Sequence, residues 1–234
     1  MTRQSSILMN AAEDLPAAAA RLAAAGTLGV ASIVVALHAI KSEFEPAWRF
    51  ISEYAIGRHG WMMQLAFLLW AASSAALAFA LLRHVRSLLG QFGVGLLLLV
   101  AIALAAAGIF PQDPVTAAPE DQTTKGALHA LASMIGIPGL PLAAMLISSS
   151  LWRTNTAWRP YRRAIMWPAH ATWISLFCMV VYLTWAVPRA GGFTSEVWAG
   201  WMNRLVVATY LVWQFTVARL AITRARTPPP RRPS

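Results

Sequence analysis

The chain has 234 residues, of which 58% are hydrophobic and 12% charged, and carries a formal net charge of +10. A soluble domain has roughly 25% charged residues and cannot absorb this much apolar surface. Six spans of about 20 residues use half the chain and short connections most of the rest, which leaves no room for a separate soluble domain. The basic residues stand beside apolar segments and form no continuous stripe with interleaved aromatics, so nucleic acid is not an expected partner. The single cysteine, Cys178, lies inside an apolar run and provides for neither a disulfide framework nor a thiolate metal site. Arginine greatly outnumbers lysine and alanine is abundant, a bias associated with GC-rich bacterial genomes.

Residues 1–21 lack the layered charged and apolar layout of a secretory signal and read as a short cytoplasmic tail. Apolar runs follow at about 22–40, 61–82, 88–109, 126–151, 164–187 and 197–222, each long enough to cross about 30 Å of hydrocarbon. Backbone in lipid must satisfy its own hydrogen bonds, and these runs lack the alternation of barrel strands. The expected fold is therefore all-α, a polytopic bundle of six transmembrane helices. Residues 223–234 are basic and proline-rich and read as a disordered cytoplasmic tail against anionic lipid.

Thirteen of the 19 Lys and Arg residues fall on the side of the two tails and the second and fourth connections, against five on the other side. Cytoplasmic loops keep the excess of positive charge, which places both termini on the cytoplasmic side of the cell membrane. Trp152, Trp158, Trp185, Trp198 and Trp201 fall near span ends, where indole rings favour the headgroup level. No internal repeat is visible, which weighs against a transporter built from duplicated halves.

Polar chemistry gathers on the outward side. His38 lies about one turn from the end of the first span, and the loop KSEFEPAWRFISEYAIGRHGW follows. In it Trp48, Ile51 and Ala55 recur at helical spacing, so a short interfacial helix turns Ser52 and Glu53 onto other faces and Glu53 toward the bundle. The third span closes in GIFPQDP, whose prolines hold Asp113 in a rigid turn. The fourth opens as TTKGALHALASM and sets Lys125, His129 and Ser133 four residues apart on one face. Arg204 sits about two turns inside the sixth span, where an unpaired charge costs about 2.5 to 3.5 kcal/mol at the helix centre and less near the interface. It needs a partner, and Glu53, Asp113 and Glu196 are the carboxylates within the same region. His170, beside Pro168 in the fifth span, reads as a packing histidine. Pro138 and Pro141 in IGIPGLP free the carbonyls of Met134 and Ile137, giving either a cavity-lining break or a kink closed by packing.

The motifs ISEYAIGRHGW, GIFPQDP and LHAL, spread over six spans, resemble the domain-of-unknown-function family 998, whose members are mostly prokaryotic membrane proteins. The likeness covers about residues 22–222, and FPxD followed by LH is its most specific part. It implies a six-helix membrane fold and supplies no activity. It draws attention to Ser52, Glu53, Phe110, Pro111, Asp113 and His129.

The functional expectation is a non-enzymatic membrane protein whose outward cluster of His38, Ser52, Glu53, Asp113, Lys125, His129 and Arg204 binds a lipid headgroup or small anion, with Arg204 and Lys125 on its phosphate or carboxylate. The sequence requires no cofactor. His38, Glu53, Asp113 and His129 are chemically suited to hold a divalent metal, which makes a metal-assisted lipid hydrolase one alternative and a small transporter another.

Overall fold

The computed structural model describes residues 3–225, with side chains from 15 to 224. Six α-helices run through it: α1 (Arg3–Ile40), α2 (Trp61–Leu81), α3 (Leu88–Ile109), α4 (Thr124–Thr154), α5 (Arg162–Arg189) and α6 (Ala199–Ala225). Short 3-10 turns stand at Ile51–Ala55, Pro119–Asp121 and Thr156–Tyr161, and no strand occurs among the described residues. All six helices are long and apolar enough to cross a membrane. Helix α1 is already helical from Arg3, across the region read as a tail. Residues 226–234 of the expected C-terminal tail lie outside the described residues.

Helix starts follow local chemistry. Ser87 accepts from the Gly90 N–H at 3.1 Å and Thr123 from the Gly126 N–H at 3.0 Å, which satisfies one orphan donor at the head of α3 and of α4. Each helix packs on its sequence neighbours, and α6 closes the ring against α1. Lipid tails are as apolar as leucine, so helices associate through close packing and interhelical hydrogen bonds. Gly90 is an instance of the first: a Cβ there would stand 2.4 Å from the Ser150 side chain, and that closeness brings Ser87 Oγ within 2.8 Å of Ser150 Oγ.

The buried amide of Gln214 ties α6 to α2. Its Oε1 accepts from Trp70 Nε1 at 3.1 Å and Ser74 Oγ at 3.2 Å, and its Nε2 donates to Ser73 Oγ at 2.8 Å. Ser73 in turn donates to the Ala23 carbonyl of α1 at 2.6 Å. Three helices therefore meet on one side chain that has no other use for its hydrogen-bonding groups.

Helix α4 runs unbroken through Pro138 and Pro141. Pro141 deprives the Ile137 carbonyl of its donor, and the Tyr210 hydroxyl of α6 donates to that carbonyl instead. Of the tryptophans placed at the headgroup level, Trp185, Trp198 and Trp201 are exposed, but Trp158 is fully buried, its ring edge-on to His84 at 5.6 Å. The 3-10 turn after α4 folds it under the bundle end, a step that hydropathy does not encode. His170 is exposed and stands beside Trp167 rather than inside the bundle.

Substituting Gln214→Leu removes three interhelical bonds, each worth about 0.6 kcal/mol in membrane bundles, so a loss of about 2 kcal/mol is expected. Denaturant unfolding of the purified chain in detergent measures it.

Candidate functional site

The connections at 41–60 and 110–123 close one end of the bundle. Lys41 follows α1 directly and is 2% exposed; its Nζ donates to the carbonyls of Ile56 at 2.7 Å and Arg58 at 2.9 Å and pairs with Glu43 at 2.7 Å. This ammonium draws the far end of the loop back onto the helix that starts it, and Gly57, at φ +70°, supplies the left-handed turn beside it. The same Lys41 contact holds the exposed Glu43 carboxyl below its usual value.

Glu53 stands in the turn Ile51–Ala55 and is fully buried. Its Oε2 accepts from the Phe50 N–H at 2.9 Å, and its Oε1 from the Val115 N–H at 2.9 Å and from Arg49 at 2.8 Å. Burial raises its carboxyl above the ordinary value, against the opposing pull of those N–H groups and of Arg49. The carboxylate thus joins the first polar-end loop to the second. A second tie runs from Ser52 Oγ to Gln112 Oε1.

Arg204 finds no carboxylate. Its Nε donates to His38 Nε2 at 2.8 Å, its NH1 to the carbonyls of Arg49 at 2.7 Å and Gly200 at 3.0 Å, and its NH2 to the Tyr54 hydroxyl at 2.7 Å. The expected ion pair is replaced by four neutral acceptors, and among the described residues the salt bridges join Lys41 to Glu43 and Arg49 to Glu53. Because a guanidinium only donates, His38 Nε2 must accept. The His38 Nδ1 lies 2.7 Å from the Val34 carbonyl and so carries the proton, which fixes a neutral imidazole.

Asp113 is held by the head of α4. Its Oδ2 accepts from the Thr123 N–H at 2.7 Å and its Oδ1 from Thr123 Oγ1 at 2.9 Å. A Cβ on Gly126 would come within 2.0 Å of Asp113 Oδ2, so only glycine admits the carboxylate there. His129 is buried one turn further along, and its Nδ1 faces the carbonyls of Phe110 at 2.9 Å and Ala107 at 3.2 Å. These are orphan acceptors at the end of α3, so Nδ1 is the donor and Nε2 keeps its lone pair with no protein partner. Lys125, on the same face by spacing, is exposed and makes no hydrogen bond or ion pair.

The seven nominated residues therefore form separate groups rather than one cluster. His38 meets Arg204; Glu53 is linked to them through Arg49, whose side chain holds Glu53 and whose carbonyl accepts from Arg204. Ser52, Asp113 and His129 line a different space, and Lys125 stands apart. Among the described residues no three His, Cys, Asp or Glu side chains come together as metal ligands, and His38, Glu53, Asp113 and His129 are each committed to the contacts above.

That space is a cavity of about 650 Å³ beneath the polar-end loops, between α2, α3, α4, α5 and α6. Phe67, Trp70, Val100, Leu104, Leu140 and Met179 make its apolar walls, and Tyr210 closes on the α4 prolines at its side. Polar atoms gather toward the loops. Gln112 Nε2 and Asn203 Nδ2 are amide donors left over after their oxygens accept from Ser52 and from the Ile51 N–H, and Ser133 Oγ and His129 Nε2 are likewise without protein partners. Ala127, Ala130 and Met134, spaced along one face of α4, both line the cavity and lie exposed, Met134 at 74%, so the cavity opens sideways along that helix. Neither Arg204 nor Lys125 lines it. Sequence reading missed Lys41, Tyr54, Gln112 and Asn203; Asn203 had a visible signal, as an amide next to Arg204 within an apolar run.

A ring of six spans with a polar-ended cavity defines a multi-pass α-helical membrane protein. A family model described as "Protein of unknown function (DUF998)" matches residues 23–220, and the chain belongs to that family. No curated protein and no solved structure matches it.

Glu53→Ala strands the Phe50 and Val115 N–H groups and the Arg49 guanidinium, and a loss of about 3 kcal/mol is expected. Lys125→Ala should stay within about 0.5 kcal/mol of the wild type, since it touches nothing. Unfolding midpoints of the two variants in the same detergent make the comparison.

Proposed function

We propose that this chain is a membrane-embedded binding protein that admits one amphipathic molecule of lipid character sideways along α4 and holds its uncharged polar head under the loops. The carrying observation is the cavity itself. Its volume of about 650 Å³ lies within the 300–1,000 Å³ of small-molecule sites, and its apolar walls end in a few unpartnered polar atoms. A hydroxyl or amide head matches them, donating to His129 Nε2 and accepting from the amides of Gln112 and Asn203. Asp113 and Ser52 shape the same end. A phosphate or carboxylate head is less well served, because no Lys or Arg lines the cavity and Asp113 would repel it. Arg204, His38 and Glu53 support the loops above rather than the ligand, and Lys125 is free to meet headgroups outside.

A broken fourth helix and Arg204 are the features that favour a transporter, but α4 is continuous, Tyr210 answers its freed Ile137 carbonyl, and Arg204 is bonded to protein acceptors outside the cavity. A hydrolytic reading has Ser133 and His129 in one cavity, though no hydrogen bond joins them. The charge bias supports the remaining part of the proposal, a cell-membrane protein with both termini cytoplasmic and the cavity toward the outer leaflet.

Mass spectrometry of lipid extracted from the full chain in a mild detergent tests the reading. A defined neutral amphiphile near one per protein is expected, and Ala130→Trp, placed at the exposed mouth, should deplete it without lowering the unfolding midpoint. Bulk membrane phospholipid in both proteins alike would overturn it.

A further inference from the structure

The two ends of the bundle treat their cations differently. At the polar end Lys41 is held by two carbonyls and Glu43, Arg204 by four acceptors, and Arg49 by Glu53, with only the Arg49 Nε left unpartnered. At the opposite end stand Arg83 and Arg86 between α2 and α3, Arg153 and Arg162 about the turn after α4, and Arg224 near the end of α6. None of these five makes a hydrogen bond or ion pair with the protein, and the acidic residues among 15–224 all lie in the connections at the other end.

Three of them are nevertheless stacked on aromatic rings. Arg153 and Arg162 both stack on Trp152, with guanidinium carbons 5.1 and 4.5 Å from the ring centroid, and Arg224 stacks on Tyr161 at 4.9 Å. Stacking uses the face of a guanidinium and leaves its N–H edge available for a planar or tetrahedral oxyanion. Trp158 and Tyr161 are three apart in a 3-10 turn, where such positions eclipse, so the His84 ring on Trp158 and the Arg224 guanidinium on Tyr161 share one side. The indole N–H of fully buried Trp158, the Nε1 of Trp152 and the Nε of Arg224 are buried donors with no acceptor in the protein.

We infer that Arg153, Arg162 and Arg224, set edge-outward by Trp152 and Tyr161, form a second binding site, for the phosphate of an anionic phospholipid in the leaflet at this end. The phospholipid is favoured because the site lies at the ends of spans, at headgroup depth, with aromatic rings beside it. A zwitterionic lipid brings an ammonium that this cluster of arginines repels. His84 reports on occupancy. It lies outside the spans, and burial, then the charges of Arg224 and Arg86, lower its pKa; a bound phosphate opposes those charges and raises it.

The test is native mass spectrometry of the full chain titrated with phosphatidylglycerol or phosphatidylcholine, alongside NMR titration of the histidine rings. Phosphatidylglycerol should bind more tightly and shift the His84 titration upward. Replacing Arg153, Arg162 and Arg224 together by Ala should weaken it about a hundredfold. The triple Lys variant keeps the positive charge that sets topology, yet should remain about tenfold weaker than wild type because the stacked fork is lost. Arg58→Ala, at the other end, should change nothing. Equal binding of the two lipids, a triple Lys variant indistinguishable from wild type, or equal occupancy by inorganic phosphate alone would each overturn the proposal.

Discussion

The guanidinium of Arg204 lies where α1, α6 and the first polar-end loop converge, and it can only donate. Everything around it is arranged to accept: a histidine locked in one tautomer, two carbonyls and a phenol. Because those acceptors come from three segments, the charge positions the loop over the bundle. The loop in turn carries Glu53, whose carboxylate reaches the second loop at Val115, and the second loop carries Asp113, which holds the head of α4. The roof of the cavity is one chain of such dependencies.

The use of neutral acceptors follows from depth. A carboxylate beside Arg204 would add a second ion to desolvate, and the Coulomb gain in a buried pair often fails to exceed that cost. Carbonyls at helix ends and a histidine already bonded to its own helix carry their dipoles at no added charge. The one buried carboxylate among the described residues, Glu53, lies in the loop itself and is given backbone N–H groups as well as Arg49.

Six spans were legible because length and apolarity act locally and leave a continuous trace in the sequence. The burial of Glu53 was not legible from spacing, which sets it on a different face from Ile51 and Ala55, whereas the 3-10 turn buries all three. The partners of Arg204 were not legible either, since a carbonyl is present at every residue and only the fold selects which ones meet a cation. Trp158 was misjudged because its burial depends on a tight turn after α4. Lys41 gave only its charge, and a lysine beside a span end reads as solvated until the loop that wraps it is seen. The cavity is an absence of side chains between helices, which no single segment records.

Tyr210 belongs both to the cavity and to the repair of α4, where its hydroxyl replaces the donor that Pro141 lacks. The flaw in α4 and the space beside it are therefore joined through one phenol. Thermodynamic linkage is reciprocal, so a guest that competes for this hydroxyl weakens its bond to the Ile137 carbonyl, and that bond opposes the guest by the same factor. The hydrogen bonding of a proline-bearing helix and the filling of the cavity beside it thus draw on the same phenol.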